Sequence, residues 1–232
     1  MKNPCKPFLD NQDVAECDGG WSVPEGWIPC SNHNSDRCPA VVKGGRVSQC
    51  KHDFLSRVGF GIKYQSPVDE WLFGENTLPD VEEGLRAYWA NIYDYINCGQ
   101  GFLLCGTVGT GKTFALALTA LKTWWPKETV KYIHAPELFR MLHKDEDVED
   151  YRECDMLLLD DMGAAYATPW NASQFNSFFE YRYANMLSTC ITSNQSVADL
   201  AQDVLFERVV DRWRETCKCH IYELSFPSLR GG

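Results

Sequence analysis

From residue 80 onward, the apolar positions switch between two spacings. Val81, Leu85, Tyr88, Trp89, Ile92 and Ile96 recur at helical intervals. They predict one helix over 80–96, with Asp80 as its cap and Glu83 three residues on. Short apolar runs follow at 101–106, 130–135, 156–161, 188–194 and 220–225, each the length of a strand. Between them the spacing predicts helices over 111–123, 136–143, 169–186 and 197–215. Strands alternating with helices of this length predict βαβ units. Met156-Leu157-Leu158-Leu159 is apolar without alternation, as in a strand covered on both faces. The expected fold class is α/β, a three-layer domain around a five-stranded parallel sheet.

The preceding residues have a different character. Residues 1–52 are rich in Cys, Gly, Pro, Asn and Asp and show almost no periodicity. They hold five of the 11 cysteines and two of the five histidines, so a small module that builds little core of its own is expected. Residues 53–79 carry mixed apolar content with turn signals at Ser66-Pro67 and Leu78-Pro79, and are predicted to connect this module to a main domain at 80–232. There is no internal repeat.

Composition narrows the function classes. The 232 residues are 44% hydrophobic and 23% charged, which excludes wholesale disorder. The longest apolar stretch, Phe114 to Leu121, contains Thr119 and stops at Lys122, well short of the ~20 residues of a membrane span. No apolar run follows Met1-Lys2-Asn3-Pro4, so no signal peptide is expected and the protein is placed in the cytoplasm. Cysteines there stay reduced, and act as small buried residues or metal ligands. The net charge of −10 falls entirely on residues 61–232, which hold 25 acidic and 15 basic residues. Bulk charge therefore cannot drive nucleic-acid binding, which depends on neutralising phosphates.

The strongest chemical signal is Gly106-Thr107-Val108-Gly109-Thr110-Gly111-Lys112-Thr113. It matches G-x-x-x-x-G-K-[ST] between a predicted strand and a predicted helix, the context that a phosphate-binding loop requires. Glycines allow the sharp turn that exposes backbone N–H groups to phosphate oxygens, and the helix N-terminus adds positive potential. Lys112 would place its charge on the β- and γ-phosphates of ATP, and the Thr113 hydroxyl would ligate Mg²⁺. A plain glycine turn is the structural alternative, and the strand–helix context argues against it.

Two further strand ends fit such a site. Met156–Asp161 is an apolar strand ending in two carboxylates. Asp160 would hold the Mg²⁺ shell, and Asp161 would orient or deprotonate the attacking water. The fourth strand ends Thr192-Ser193-Asn194, where Asn194 could position that water. The alternatives are a pair of solvated acids and a loop-capping asparagine.

Taken together, these residues resemble the DnaC/IstB-type branch of AAA+ ATPases, the bacterial and phage replicative helicase loaders. The resemblance is carried by Gly101-Phe102-Leu103-Leu104-Cys105 running into the loop, Leu159-Asp160-Asp161-Met162-Gly163, Thr192-Ser193-Asn194-Gln195, Glu207-Arg208-Val209-Val210-Asp211-Arg212-Trp213-Arg214 and Ser228-Leu229-Arg230. It covers roughly residues 55–230. It implies a P-loop ATPase without a C-terminal lid, oligomeric when ATP is bound, with ATP hydrolysed at subunit interfaces. It implies an arginine finger at Arg212, with Arg208 as the second candidate, and a nucleotide-sensing arginine at Arg230. The implied partner is a replicative DNA helicase. Family members touch single-stranded DNA through a helical insertion after strand two. Here that region is short and runs into Asp145-Glu146-Asp147-Val148-Glu149-Asp150, which repels phosphate.

The N-terminal cysteines suggest a second metal. Cys17, Cys30, His33, Cys38 and Cys50 lie close together, and Cys30-x2-His33 has zinc-ligand spacing. The expected set is Cys17, Cys30, Cys38 and one of His33 or Cys50, in a module that resembles the zinc-bearing, helicase-binding N-terminus of several loaders. Reduced, non-ligating cysteines are the alternative. Three rival functions remain: a transposition-targeting ATPase of the same branch, a small-molecule P-loop kinase, and a non-catalytic nucleotide-gated adaptor. The kinase would need an arginine-bearing substrate lid after the third helix, where this chain has a double-Asp strand end and a late arginine cluster.

Overall fold

The computed structural model describes residues 55–61, 64, 79–123, 129–163, 169–202, 211–212, 215 and 220–224, and the structural account concerns these. The elements run α1 (Pro79–Ala90), α2 (Ile92–Asn97), β1 (Leu103–Gly106), α3 (Lys112–Lys122), β2 (Val130–His134), α4 (Ala135–His143), α5 (Glu149–Glu153), β3 (Met156–Met162), α6 (Pro169–Ala184), β4 (Ser188–Ser193), α7 (Val197–Gln202) and β5 (Ile221–Leu224). The five strands form one sheet in the order β2-β3-β4-β1-β5, and every pairing is parallel. This is the α/β architecture expected from the alternating pattern. It places β4 between the strand that feeds the glycine loop and the strand that ends in two aspartates.

Two apolar layers cover the sheet. On one face, Leu85, Tyr88, Ile92 and Ile96 from α1 and α2 pack with Ala115, Leu116 and Leu118 of α3. Helix α3 is apolar nearly all round and is buried nearly all round, as its pattern requires. The same layer takes in Leu55, Val58 and Phe60, so the core reaches into the segment that the sequence suggested was a connector. On the other face, Leu138 and Phe139 of α4 meet Phe175, Phe178 and Phe179 of α6. The Phe139 and Phe175 rings stack at 4.3 Å. Phe175, Phe178, Phe179 and Arg182 lie along one stripe of α6, and Arg182 is as buried as the rings.

The guanidinium of Arg182 is accommodated by hydrogen bonds to neutral acceptors. It donates to the carbonyls of Tyr151, Arg152 and Cys154 at the end of α5, to Ser188 O and to Thr189 Oγ1. Burial holds its pKa below the usual arginine range, while the nearby Cys154 thiol opposes the shift.

Two elements depart from the sequence expectation. The single helix expected over 80–96 is divided at Asn91, whose side chain donates to Ala87 O while its own carbonyl accepts from Tyr95 N–H. Tyr88 and Ile92 both stay buried across the break, so the apolar spacing does not register it. The acidic run after α4 contains a short helix, α5, with no buried side chain. Its carbonyls are tied down by Arg182, some thirty residues away along the chain. Among the described residues, no helix is long and apolar enough to cross a membrane.

Candidate functional site

The glycine loop leaves β1 at Gly106 and enters α3 at Lys112. Gly106 has φ +155°, and a Cβ there would lie 2.7 Å from both Cβ and O of Leu224 on β5. Only glycine lets the strand end pass so close to its neighbour. Gly111, just before α3, sits at φ +90°, in the left-handed region that glycine enters without penalty. Thr110 Oγ1 closes the loop by donating to Thr107 O at 2.8 Å. Lys112 is buried, with its ammonium turned onto the loop itself, 2.7 Å from Gly106 O and 2.8 Å from Thr107 O. These carbonyls hold the cation against the loop.

The acidic strand end meets the loop directly. Thr113 Oγ1 donates to Asp160 Oδ2 at 2.9 Å, and Thr192 Oγ1 donates to Asp160 Oδ1 at 2.5 Å. Tyr132 OH donates to Asp160 Oδ2 at 3.0 Å. Asp160 is therefore a buried carboxylate held by three hydroxyls, one each from α3, β4 and β2. Such donors satisfy a polar group that would otherwise be costly to bury. Burial, reinforced by the Asp160 charge, holds the Tyr132 phenol far above its ordinary range, so its proton stays on.

Asp161 points elsewhere because β3 bulges. Leu159 pairs with Ile191 and Met162 with Ser193, so β3 spends one residue more than β4 over the same span. Asp161 absorbs the difference with φ +61°. Its backbone N–H donates to Thr192 Oγ1 at 3.0 Å rather than continuing the ladder. Asn194 Nδ2 donates to Asp161 Oδ1. The bulge gives two adjacent carboxylates separate tasks: Asp160 faces the loop hydroxyl, and Asp161 faces the side chain at the end of β4.

Thr113 and Asp160 form a hard oxygen donor pair at the N-terminus of α3. This donor set fits Mg²⁺, which is usually bound through one or two carboxylates together with substrate phosphates. Among the described residues, no group of three or more His, Cys, Asp or Glu is placed to hold a metal ion. The candidate zinc ligands Cys17, Cys30, His33, Cys38 and Cys50 lie outside the described residues, as do Arg208 and Arg230. Arg212 is described. It pairs with Glu180 on α6 of its own chain, and its guanidinium lies 4.9 Å from the Tyr183 ring centroid.

The structure thus brings together Lys112, Thr113, Asp160, Asp161 and Asn194, all five foreseen from the sequence. Thr192, Tyr132 and His134 were not foreseen. Thr192 stands in a segment whose resemblance was noted, but its partners follow only from strand order. Nothing local to Tyr132 or His134 marks them, since they reach Asp160 through the β2–β3 pairing, in which His134 is opposite Asp160.

No family model and no curated protein sequence matches this chain. Solved structures do. The DnaC helicase loader superposes with a TM-score of 0.57 at 24% identity, covering 72% of this chain and 100% of that one. DnaI gives 0.59 at 24% identity, with 73% and 94% covered. The replication initiator DnaA bound to AMPPCP and single-stranded DNA gives 0.56 at 21% identity, with 73% of this chain and 52% of that one covered. What these structures share with this chain is the α/β fold.

Proposed function

We propose that this chain is an ATPase that loads a replicative DNA helicase, a member of the DnaC/IstB-type branch of AAA+ proteins. The observation that carries the ATPase reading is the hydrogen bond from Thr113 to Asp160, which joins the glycine loop to the acidic strand end. A glycine turn of purely structural purpose would have no need of that partner. The loader reading is supported by the sequence motifs and by the fold shared with the DnaC helicase loader and DnaI.

The residues then divide the work as follows. The backbone N–H groups of 107–113 and the N-terminus of α3 receive the triphosphate. Lys112 exchanges the carbonyls of Gly106 and Thr107 for phosphate oxygens. Thr113 and Asp160 hold Mg²⁺, which when bound neutralises charge on the β- and γ-phosphate oxygens. Asp161, oriented by Asn194, accepts a proton from the attacking water or aligns it. Arg212 serves a neighbouring subunit's phosphates, with Arg208 as the second candidate, and Arg230 senses the nucleotide in its own subunit. The acidic surface suits a protein partner better than bare DNA, since it repels phosphate. In this reading residues 1–52 bind the helicase and are organised by zinc, and the protein assembles into an oligomer when ATP is bound.

The test is co-purification of the full chain with its partner in ATP and in ADP, followed by identification of the bound protein. A replicative helicase retained in one nucleotide state and released in the other supports loading. A transposase moves the protein to the transposition-targeting role, and a small-molecule phosphoacceptor moves it to the kinase class.

A further inference from the structure

Asp160 has partners that the ATPase reading does not use, Tyr132 among them. Tyr132 stands two residues before the end of β2, with its ring buried and stacked on Phe60 at 3.9 Å. Packing alone would be satisfied by phenylalanine. The added hydroxyl is buried, which is unfavourable unless it is hydrogen-bonded. It makes two hydrogen bonds, one to Asp160 Oδ2 at 3.0 Å and one with His134 Nε2 at 2.9 Å. A phenol has one proton, and an ionised carboxylate can only accept. The proton therefore goes to Asp160, and the His134 ring lies against both groups, with Nε2 on the phenol oxygen and Nδ1 3.5 Å from Asp160 Oδ2. A half-exposed imidazole, a buried phenol and a buried carboxylate thus form one contiguous cluster.

The three hydroxyls on Asp160 are not equivalent. Thr113 belongs to the metal and phosphates once these bind, so its donation to Asp160 is provisional. Thr192 grips only Oδ1. Without Tyr132, a carboxylate released by Thr113 would keep at Oδ2 only the longer 3.5 Å approach of His134 Nδ1. With Tyr132, both oxygens stay fixed. We propose that Tyr132, oriented by His134, is a positioning residue that holds the Asp160 carboxylate ready to receive Mg²⁺ with the nucleotide. The proposal rests on the reading of residues 106–113 as an ATP site. Outer partners of metal-binding carboxylates commonly set affinity by about 10- to 100-fold.

The experiment measures binding of a fluorescent ATP analogue to the full chain, first in EDTA and then across a Mg²⁺ titration. Wild type, Tyr132→Phe, His134→Phe and Lys112→Ala are compared. In Tyr132→Phe the metal-free affinity is expected to equal wild type, because the glycine loop is untouched. The Mg²⁺ concentration at half-effect is expected to rise about tenfold. His134→Phe is expected to shift it in the same direction by less, since the phenol keeps its proton but loses its orienting partner. An unchanged Mg²⁺ half-point in Tyr132→Phe overturns the proposal, as does a wild-type affinity indifferent to Mg²⁺. Loss of metal-free affinity in Tyr132→Phe assigns the hydroxyl to packing and overturns it too. Failure of the ATP-site reading itself looks different: Lys112→Ala would then bind the analogue as wild type does.

Discussion

Thr113 Oγ1 reaches Asp160 Oδ2 at 2.9 Å across 47 residues of sequence. The contact shows that the site is assembled by the fold itself. The β3 end, the first turn of α3 and the β4 hydroxyl of Thr192 converge because β4 lies between β1 and β3. In the proposed reading, nucleotide would meet Thr113 and Asp160 already brought together, which would lower the ordering cost of binding.

The bulge at Asp161 makes one substitution unusually clean. Asparagine enters the left-handed region about as readily as aspartate, so Asp161→Asn keeps the backbone at φ +61° without new strain. Its amide cannot take a proton. ATP affinity is expected to stay at the wild-type value while turnover falls about 100-fold or more. Equilibrium binding and steady-state hydrolysis on the same preparation check this, and wild-type turnover would remove Asp161 from the chemistry.

How far the sequence spoke can be judged at these same residues. Lys112 and Thr113 were legible because a phosphate loop is a local device: the glycines, the cation and the hydroxyl sit at set intervals in one segment. Asp160 and Asp161 were legible as a pair, but their division of labour was not. The extra residue that turns Asp161 away is defined against β4, and strand register is a relation between distant segments. Tyr132 was invisible for the same reason. Helix α5 was hidden differently, because an acidic run with no buried side chain carries no apolar period, and the group that stabilises it lies on α6. The break at Asn91 leaves the apolar spacing intact and so left no mark in it.

Arg182 should be a stability residue. Arg182→Met fits the volume but removes the guanidinium donor from the carbonyls of Tyr151, Arg152, Cys154 and Ser188, of which Tyr151 O keeps the Cys154 thiol. Unsatisfied buried acceptors cost ~1–3 kcal/mol each before relaxation, so a loss of about 3 kcal/mol is expected in urea unfolding. Arg182→Lys should recover little, because an ammonium cannot reproduce the planar fork. Nucleotide affinity of the folded fraction should not change. Wild-type stability in Arg182→Met would contradict this account of α5 and α6.

His220 gives the protein a defined acid sensitivity. It is buried just before β5, with its ring 4.5 Å from Tyr95 and 5.1 Å from Tyr88, and burial depresses its pKa below the ordinary 6.5. Well above pH 6.5 both folded and unfolded states carry a neutral imidazole, so the group contributes no pH dependence there. As pH falls below that value the unfolded state takes the proton first, and stability drops until the folded imidazole also titrates. Unfolding between pH 7 and pH 5.5 should show wild type losing more than His220→Gln. Parallel losses would refute this role.

Arg212 lies against Glu180 and Tyr183 of its own chain, so in the proposed role a neighbour's phosphates would have to compete with Glu180 for it. If Arg212 acts in trans, Arg212→Ala and Lys112→Ala should each be nearly inactive alone, yet recover part of the ATPase activity when mixed. Their mixed interfaces pair an intact loop with an intact arginine. No recovery from proteins that demonstrably co-assemble would assign Arg212 a role within its own subunit and bring Arg208 forward.

The central claim is that the loop at 106–113 binds ATP through Lys112, and equilibrium titration of ATP into wild type and Lys112→Ala tests it most directly. Charge-assisted hydrogen bonds are worth ~1.5–3 kcal/mol, so the substitution should weaken ATP by about 10- to 100-fold. The fold should stay intact, because the interactions lost in its absence are those Lys112 makes with its own loop. Equal ATP affinity in the two proteins would contradict the account.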